Sequence, residues 1–382
     1  GTSPKNIDLA EDREKFSDII NKLDLAQPPN GIGQSFAEAK KIAAEIGYPV
    51  LVRPSYVLGG RAMEIVYDEE SLKNYLQRAV DVSPEHPILI DKFLEDAVEV
   101  DFDAISDGEL CVIGGVMEHI EMAGVHSGDS ACALPPYNMS EEITDRIKKQ
   151  TKKIAQELDV VGLLNIQFAV KDEEIYLLEV NPRASRTIPF VSKTNGVSLA
   201  KLATKTMLGL SLEKLGYTEA PEPDYISVKE AVFPFDKLPG VDIILGPEMR
   251  STGEVMGIDQ NFGLSFAKAQ MGTGVGLPQK GNVLLTVSDR DKPKVVEIAR
   301  DFKELGFYLM ATQGTAEFLK EQGINVETVN KIDKGRPDIV DHIKNKEIQF
   351  IVNRPQGKGS KHDEYKMRRQ ALMKNVPIAT TI

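Results

Sequence analysis

A predicted β-hairpin is the feature that most limits how this chain can fold. Two runs of apolar and β-branched residues, 162–171 and 174–180, flank the dipeptide Asp172-Glu173, as in a tight hairpin. If the turn is centred near residue 173, Gln167 faces Glu179 across the ribbon. A second facing pair, further from the turn, is formed by Asn165 and Asn181. These oxygen-bearing side chains would share one face, and a register shift of one residue would separate the pairs.

The hairpin leads into residues 179–186, which read Glu-Val-Asn-Pro-Arg-Ala-Ser-Arg. Glu179 and Asn181 lie two apart on a strand, so both point to one face and offer the hard oxygen ligands that suit Mg²⁺ better than zinc or copper. Burying this face is costly without a counter-charge, which a metal ion with a nucleotide phosphate would supply. Arg183 and Arg186 could neutralise a phosphoryl group during transfer. The alternative is a solvated polar face at the end of a surface hairpin.

Hydrophobic periodicity predicts mixed helices and antiparallel strands in the first part of the chain. Helices are predicted over residues 11–23, from a capping box at Ser35 to Gly47, around 72–79 and over 140–158. Alternating apolar residues predict a strand over 98–104, which turns at Asp107-Gly108 and returns over 110–116.

From Gly281 onwards the predicted strands and helices alternate. Strands are predicted at 282–287, 307–312, 324–330, 348–353 and 376–381, and helices near 291–305, 314–322, 337–345 and 364–374. This βαβα order predicts a small doubly wound parallel sheet. The fold class is therefore α/β and α+β, with a first domain over 1–275, whose core is about 11–210, and a second over 276–382.

Composition and charge argue against several classes of protein. A net charge of −12 disfavours nucleic-acid binding, because a phosphate backbone requires a basic surface. No apolar run approaches the roughly 20 residues that span a bilayer, and the first residues do not form a signal peptide. Cys111 and Cys132 are expected to be reduced thiols, so we predict a cytoplasmic protein that binds no membrane. The absence of a starting Met is typical of a piece of a longer polypeptide.

Two further segments have the composition of nucleotide-binding loops. Residues 53–62 follow an apolar strand and combine Gly59-Gly60 with flanking arginines. Glycines let the backbone approach a ligand closely, and arginines favour an anionic one. A flexible turn without a ligand is the alternative. Residues 124–130 are small and polar and could cover a nucleotide, although a lone histidine such as His126 is more often structural than catalytic.

Together these segments resemble the ATP-grasp superfamily and, more closely, the second synthetic half of the carbamoyl phosphate synthetase large subunit. The resemblance covers nearly the whole chain and lies in residues 1–4, 53–66, 117–130, 179–186 and 246–257. The C-terminal βαβα unit resembles the methylglyoxal-synthase-like regulatory domain that follows in that family, in the same order. By this resemblance the chain stops at Ile382 before the last helix of the regulatory domain.

The resemblance implies a ligase that phosphorylates carbamate with ATP, giving carbamoyl phosphate and ADP, during glutamine-dependent synthesis for pyrimidines and arginine. It implies that Gln167, Glu179 and Asn181 hold Mg²⁺ or Mn²⁺. It also implies that Arg183, with Arg186 close by, stabilises the transferred group. The implied nucleotide contacts are Arg53, Lys92, Leu94, Glu99, Gly124, Val125, His126, Ser127, Gln167 and Glu179.

The second domain is implied to bind a nucleotide-monophosphate effector. Residues 312–315 join a predicted strand to a helix, where hydroxyl and N–H groups suit a phosphate. The implied contacts are Lys292, Thr312, Thr315, Lys331 and Asn353. Without the resemblance, a helix cap with exposed lysines would be preferred. Arg354 and Pro355 stand where some relatives have a hydroxyl-rich run, which leaves the identity of the effector open.

A third implied site consists of the carboxylates of Glu121, Asp129 and Glu230, which match the positions where ornithine binds in some members. A K⁺ ion or a purely structural cluster is the alternative. The implied partners are the N-terminal half of the same large subunit and the glutaminase small subunit.

Two competing interpretations remain. One is another ATP-grasp carboxylate-amine ligase, which the regulatory domain disfavours. The other is a catalytically silent nucleotide-sensing fragment, which the complete set of metal and phosphate residues disfavours.

Overall fold

A computed structural model describes residues 1–54, 62–82, 87–237, 243–332, 334–354 and 365–382. Packing divides the chain into two compact units, the first formed by 1–231 and 246–269, the second by 232–245 and 270–382. The domain limits at 275 and 276 remain a prediction. Within the described ranges, no helix combines the length and apolar character that crossing a bilayer requires.

The elements up to Gly272 contain eight helices and eleven strands within the described ranges. The helices are α1 (Pro4–Glu11), α2 (Arg13–Lys22), α3 (Phe36–Ile46), α4 (Glu69–Val82), α5 (Glu141–Glu157), α6 (Ile188–Asn195), α7 (Leu199–Met207) and α8 (Phe262–Gly272). The strands are β1 (Asn30–Gly33), β2 (Val50–Pro54), β3 (Glu64–Val66), β4 (Ile88–Lys92), β5 (Val98–Asp107), β6 (Cys111–His119), β7 (Cys132–Leu134), β8 (Val161–Lys171), β9 (Glu174–Asn181), β10 (Ile226–Val232) and β11 (Gly253–Asp259).

A small antiparallel sheet with the order β1-β4-β2-β3 forms one part of the first unit. Helices α3 and α4 pack on it through apolar residues such as Ala39, Val50 and Leu72. The Ser35 hydroxyl accepts from the Glu38 N–H at 3.2 Å, as the capping box predicts, whereas the Glu38 carboxylate accepts from the N–H of Gln34. The helix ends at Gly47, whose φ of +82° few other residues adopt.

The larger sheet of the first unit has the order β11-β10-β7-β6-β5-β8-β9, with antiparallel neighbours from β10 to β9. One face packs against α2 and α5 through residues such as Phe102, Ile147 and Phe168. The other face packs against α6 and α7 through residues such as Ile105 and Leu199. The helices and hairpins predicted here are confirmed, to within a few residues at their ends.

The second unit contains a parallel sheet with two covered faces. Its elements are β12 (Asn282–Val287), α9 (Lys292–Glu304), β13 (Tyr308–Thr312), α10 (Gln313–Glu321), β14 (Glu327–Val329), α11 (Ile339–Lys344), β15 (Phe350–Arg354), α12 (Tyr365–Met373) and β16 (Ile378–Ala379). The strand order is β14-β13-β12-β15-β16, and the neighbours pair in parallel. Helices α9 and α10 cover one face, and α11 and α12 cover the other. The predicted doubly wound sheet is therefore confirmed.

Candidate functional site

A cavity of about 820 Å³ in the first unit brings the predicted nucleotide, metal and phosphoryl residues together. Its wall includes Arg53, Lys92, Leu94, Glu99, Gly124, Val125, His126, Ser127, Gln167, Glu179, Asn181, Arg183 and Arg186. These residues come from both sheets and from the loops that follow β4, β6 and β9. Residues 55–61, which contain the predicted glycine pair, lie outside the described residues.

The hairpin of β8 and β9 contains a β-bulge that sets the facing pairs. Near the turn, Phe168 pairs with Leu177, but the next pair joins Gln167 to Glu179, so that Leu178 is an extra residue in β9. Both predicted pairs, Gln167 with Glu179 and Asn165 with Asn181, are confirmed. An unbroken ladder from this turn would instead set Gln167 opposite Leu178.

Hydrogen bonds connect the polar residues of this hairpin to the first arginine after it. Asn181 donates through Nδ2 to Asn165 Oδ1 at 3.4 Å and accepts at Oδ1 from Arg183 Nη2 at 2.8 Å. Gln167 donates through Nε2 to Ser127 Oγ at 2.7 Å, which leaves its Oε1 as an acceptor. The side chain of Glu179 is exposed in the cavity wall.

The donor set fits a hard divalent cation. A carboxylate and an amide oxygen lie on facing strands, and arginines line the same cavity to bind the charge that a phosphate would bring. The residues that would hold Mg²⁺ are Glu179 and Gln167, with Asn181 joining them if its oxygen leaves Arg183. No group of three His, Cys, Asp or Glu with metal-binding geometry occurs in the described part of the chain.

Two arginines share one carboxylate on another wall of the cavity. Arg13, from α2, forms a salt bridge with Asp91, and Arg53 Nε lies 3.9 Å from the other oxygen of Asp91. Burial, followed by the charge of Arg53, lowers the pKa of Arg13 to about 10, against the opposing effect of Glu179. The single charge of Asp91 is shared by both guanidinium groups, so direct ion pairing with it leaves positive charge that a phosphate could bind. The sequence analysis missed Arg13 because its helix is distant in the chain from the other site residues.

The segment 124–128 lines the cavity, and side chains on different strands form hydrogen bonds with its backbone. Glu99 Oε1 accepts from the Gly124 N–H at 3.0 Å. His126 Nδ1 accepts from the Gly128 N–H at 3.0 Å, and burial lowers the pKa of His126, so the ring is neutral at pH 7. Buried Lys229 on β10, another cavity residue that the sequence analysis missed, donates to the Ser127 carbonyl at 3.3 Å.

Glu99 belongs to a cluster of one histidine and two carboxylates, of which His119 and Asp101 are buried. His119 Nδ1 is 3.5 Å from Glu99, and Nε2 is 3.4 Å from Asp101. Neither contact has hydrogen-bond geometry, so the groups interact through charge. Burial opposes the charged ring, but Asp101 and Glu99 together outweigh it and raise the pKa of His119 to about 9. His119 is therefore an imidazolium at neutral pH and holds the predicted ribose acceptor, Glu99, in place.

Lys92 and Leu94 line the cavity in different ways. The Lys92 ammonium group donates to the carbonyls of Gly47 and Tyr48 at 2.8 and 3.1 Å, at the end of α3. Its charge is therefore directed to that helix terminus, and only its stem is available to a ligand. Leu94 is a half-buried apolar wall residue, as a contact for an adenine edge would be.

The three carboxylates of the predicted ornithine or K⁺ site lie outside the cavity lining described above. Asp129 accepts from the N–H groups of Arg250 and Ser251 at 2.7 and 2.9 Å, so both of its oxygens already have partners. Glu121 accepts from the Ala131 N–H at 2.6 Å, and burial raises its pKa. Glu230 is buried and follows Lys229, which pairs with Cys132 on β7, next in the chain to Ala131.

In the second unit the predicted effector residues gather at the carboxyl edge of the parallel sheet. Thr312 is the N-cap residue of α10, but its hydroxyl makes no capping bond and instead contacts Thr286 Oγ1 at 3.4 Å. Asn353 pairs with Thr286 on the next strand and is buried, as is Thr315. The side chain of Arg354 forms an ion pair with buried Asp291.

The two predicted lysines lie close to a single acidic side chain. Lys292 Nζ is 2.7 Å from Asp289 Oδ1. Contact with Lys292, and further the charge of Lys331, lower the pKa of Asp289. Gly314, in the first turn of α10, also lies near Lys292. A Cβ atom added to this glycine would be 3.5 Å from Lys292 Nζ. A phosphate at this helix terminus would therefore meet both N–H groups and a lysine.

Comparisons with known proteins agree with this geometry. Residues 12–215 match the family model "Carbamoyl-phosphate synthase L chain, ATP binding domain", and residues 294–380 match "MGS-like domain". The whole chain is 56% identical to the C-terminal section of the carbamoyl phosphate synthase large chain of Aquifex aeolicus, covering 74% of that protein. It is 57% identical to the full large chain of Archaeoglobus fulgidus, of which it spans 36%.

Solved structures share the fold of a large part of this chain. A carboxyaminoimidazole ribonucleotide synthase from Aspergillus clavatus, complexed with ATP, matches with a TM-score of 0.57 at 14% identity, over 70% of this chain and 73% of that one. A biotin carboxylase from Campylobacter jejuni matches with a TM-score of 0.52 at 20% identity, over 61% and 53%.

Fold and site together define an ATP-grasp domain followed by a methylglyoxal-synthase-like domain, as the resemblance predicted. At more than half identity over its whole length, the chain belongs to the carbamoyl phosphate synthase large-chain family. It spans about a third of the full-length large chains that it matches.

Proposed function

We propose that this chain is the part of a carbamoyl phosphate synthase that uses ATP to phosphorylate carbamate. The observation that carries the proposal is the cavity of the first unit, in which the Gln167–Glu179 pair lies with Arg13, Arg53, Arg183 and Arg186. Family membership supports carbamate as the substrate, and the cavity has the arrangement of charges that phosphoryl transfer needs.

Each wall of the cavity has a role in this reaction. Arg53, with Arg13 beside it, binds nucleotide phosphate, and Glu99, held by His119, accepts from the ribose hydroxyls. Leu94 packs against the adenine, and the backbone of 124–128 closes over the nucleotide. Arg183 and Arg186 stabilise the charge of the transferred phosphoryl group and of carbamate.

Glu179 and Gln167, with Asn181, would hold Mg²⁺ or Mn²⁺. These residues would thereby place a positive charge beside the phosphate, where it would offset the negative charge that develops during transfer. The chain itself orients these ligands: the bulge sets Glu179 opposite Gln167, and Ser127 fixes the amide of Gln167.

The remaining roles in this proposal rest on the family resemblance. The N-terminal half of the large chain and a glutaminase small subunit would deliver carbamate, and the product would serve pyrimidine and arginine synthesis. The carboxyl edge of the second unit would bind a nucleotide monophosphate through Lys292, Thr312, Thr315, Lys331 and Asn353. Glu121, Asp129 and Glu230 would bind ornithine or K⁺, with Asp129 acting mainly to hold the segment 250–251.

An assay of the reverse reaction tests the proposal. The chain is mixed with Mg-ADP and either carbamoyl phosphate or acetyl phosphate, and the ATP formed is measured. We expect ATP from carbamoyl phosphate at a rate at least about tenfold above that from acetyl phosphate, because carbamate offers an amino group that acetate lacks. Equal use of the two donors would favour a different carboxylate ligase, and no ATP from either would contradict the proposal for this chain.

A further inference from the structure

Asp103 lies fully buried in the middle of β5, directly behind the wall of the cavity. Its Oδ1 is 3.0 Å from Asn165 Nδ2 and 2.8 Å from Ser185 Oγ, and its Oδ2 is 2.5 Å from Thr187 Oγ1. Asn165, Ser185 and Thr187 line the cavity, whereas Asp103 does not. Asp103 thus touches the wall from behind, at the segment that carries Arg183 and Arg186.

The hydroxyl groups of Ser185 and Thr187 and the carboxyl group of Asp103 form a closed ring of three oxygen–oxygen contacts. Besides the contacts of Asp103 with Ser185 and Thr187, the two hydroxyls lie 2.8 Å from each other. An ionised carboxylate contributes no hydrogen, and the two hydroxyls contribute one each, so one of the three contacts would join lone pairs only. A neutral carboxylic acid supplies the third hydrogen. It would donate to Thr187, Thr187 would donate to Ser185, and Ser185 would donate back to the carboxyl group.

The surroundings of Asp103 also oppose its ionisation. Across β5 it faces Gly115 on β6 and Asn165 on β8, which carry no charge. Behind Gly114 and Gly115 lie the apolar residues Val191 and Leu199 of α6 and α7. On its own strand, Asp101 acts on Asp103 through its charge, and because that charge is negative it also disfavours the ionised form of Asp103.

The cations closest in sequence to this segment are directed elsewhere. Arg183 bonds to Asn181 and to the Ala184 carbonyl, and Arg186 bonds to Ser251. Burial raises the pKa of Asp103 to about 6 even with Thr187, Asn165 and Ser185 donating to it. In the ionised form both hydroxyls would donate to the carboxylate, and their 2.8 Å contact with each other would contain no hydrogen, which favours the neutral acid further.

We propose that Asp103 is a neutral carboxylic acid in the folded protein and a positioning residue for phosphoryl transfer. Its contacts with Ser185 and Thr187 orient the segment 183–187. Its contact with Asn165 begins a second series of hydrogen bonds, which continues through Asn181 to Arg183. The catalytic consequence rests on the proposed function, whereas the protonation state does not.

Two substitutions separate the neutral acid from an ionised one. The amide of Asp103→Asn imitates the neutral acid, because it can donate to Thr187 while its carbonyl accepts from Ser185 and Asn165. We expect this variant to keep kcat of ATP formation within about threefold of the wild type. Asp103→Ala leaves buried donors without a partner, so we expect kcat to fall by about 10- to 100-fold, with a smaller change in KM for ADP. An Asp103→Asn variant as impaired as Asp103→Ala would overturn the proposal.

Infrared spectroscopy tests the protonation state without reference to activity. The spectrum of the wild type minus that of Asp103→Asn at pH 7 should contain the C=O stretch of a neutral carboxylic acid, which ionised carboxylates lack. Other buried acids such as Glu121 cancel in the difference. A difference spectrum with carboxylate bands alone would overturn the proposal, even if Asp103→Ala failed to fold. If the wild type forms no ATP but shows the acid band, the proposed function fails and the neutral acid stands.

Discussion

At the scale of single residues, the polar side chains of β5 and β6 show what periodicity can and cannot predict. Alternation identified Glu99, Asp101 and Asp103 as one face of a strand, but did not reveal that Asp101 and Asp103 are buried. That face is covered by segments distant in sequence, such as 183–187, so the local pattern carries no sign of it. His119 was missed for the same reason, since only the folded sheet places it between two carboxylates.

The raised pKa of His119 predicts a pH window for stability. The folded protein keeps the proton up to about pH 9, whereas the unfolded chain releases it near 6.5. The folded state therefore binds more protons in this window, and the free energy of unfolding should fall by up to about 3 kcal/mol as pH rises through it. Urea unfolding of the wild type and of His119→Gln at pH 6.5 and pH 9 measures this. The wild type should lose more stability than the variant, and equal losses would refute the assignment.

At the scale of elements, hydrophobic periodicity predicted helices and strands, and the predicted hairpin register is confirmed for the two facing pairs of the site. The bulge at Leu178 was not visible, because a centre near residue 173 and a two-residue turn imply registers that differ by one residue. The structure uses both registers, one on each side of the bulge. This places Leu178 and Glu179 in the cavity wall, while Leu177 and Val180 remain members of the hydrophobic core, Val180 where the core meets that wall.

Single-residue deletions in β9 test the bulge. Removal of Leu178 leaves an unbroken ladder that still pairs Gln167 with Glu179 and keeps Val180 in the core. We expect this variant to fold and to bind Mg-ADP within about tenfold of the wild type, the loss reflecting one apolar wall residue. Deletion of Val180, the matched control, would turn Asn181 toward the core and should abolish binding. Calorimetric titration with Mg-ADP distinguishes them, and equal behaviour of the two deletions would contradict the predicted register.

At the scale of the whole molecule, the fold class and the succession of the two domains were predictable because each has its own pattern of strands and helices. The joining of Arg13, Lys229 and the β8–β9 hairpin into one cavity was not, since these residues are separated by most of the first unit. The candidate effector residues of the second unit were selected by the family resemblance and by their position near strand or helix ends, where open α/β sheets bind ligands, and their role stays a prediction.

Three ligands and two variants test whether each unit has its own site. Lys292→Ala should weaken binding of a nucleotide monophosphate, with uridine and inosine monophosphate as probes, by about tenfold or more through loss of a charged phosphate contact. It should leave binding of Mg-ADP unchanged. Glu179→Gln should show the opposite pattern. Calorimetry on the intact chain measures all these affinities, and a Lys292→Ala variant that binds both monophosphates as the wild type does would argue against the proposed effector site.

The most direct measurement of the central claim is ATP formation from Mg-ADP and carbamoyl phosphate by the wild type, Glu179→Gln and Glu174→Gln. Glu174 lies at the far end of the same strand, is exposed and is not part of the cavity wall described here, so it is a matched control. We predict that Glu179→Gln lowers the rate by about 100-fold or more, because it removes the only carboxylate of the proposed metal site. Glu174→Gln should have the rate of the wild type. An active Glu179→Gln variant, with the same dependence on Mg²⁺ as the wild type, would contradict the account.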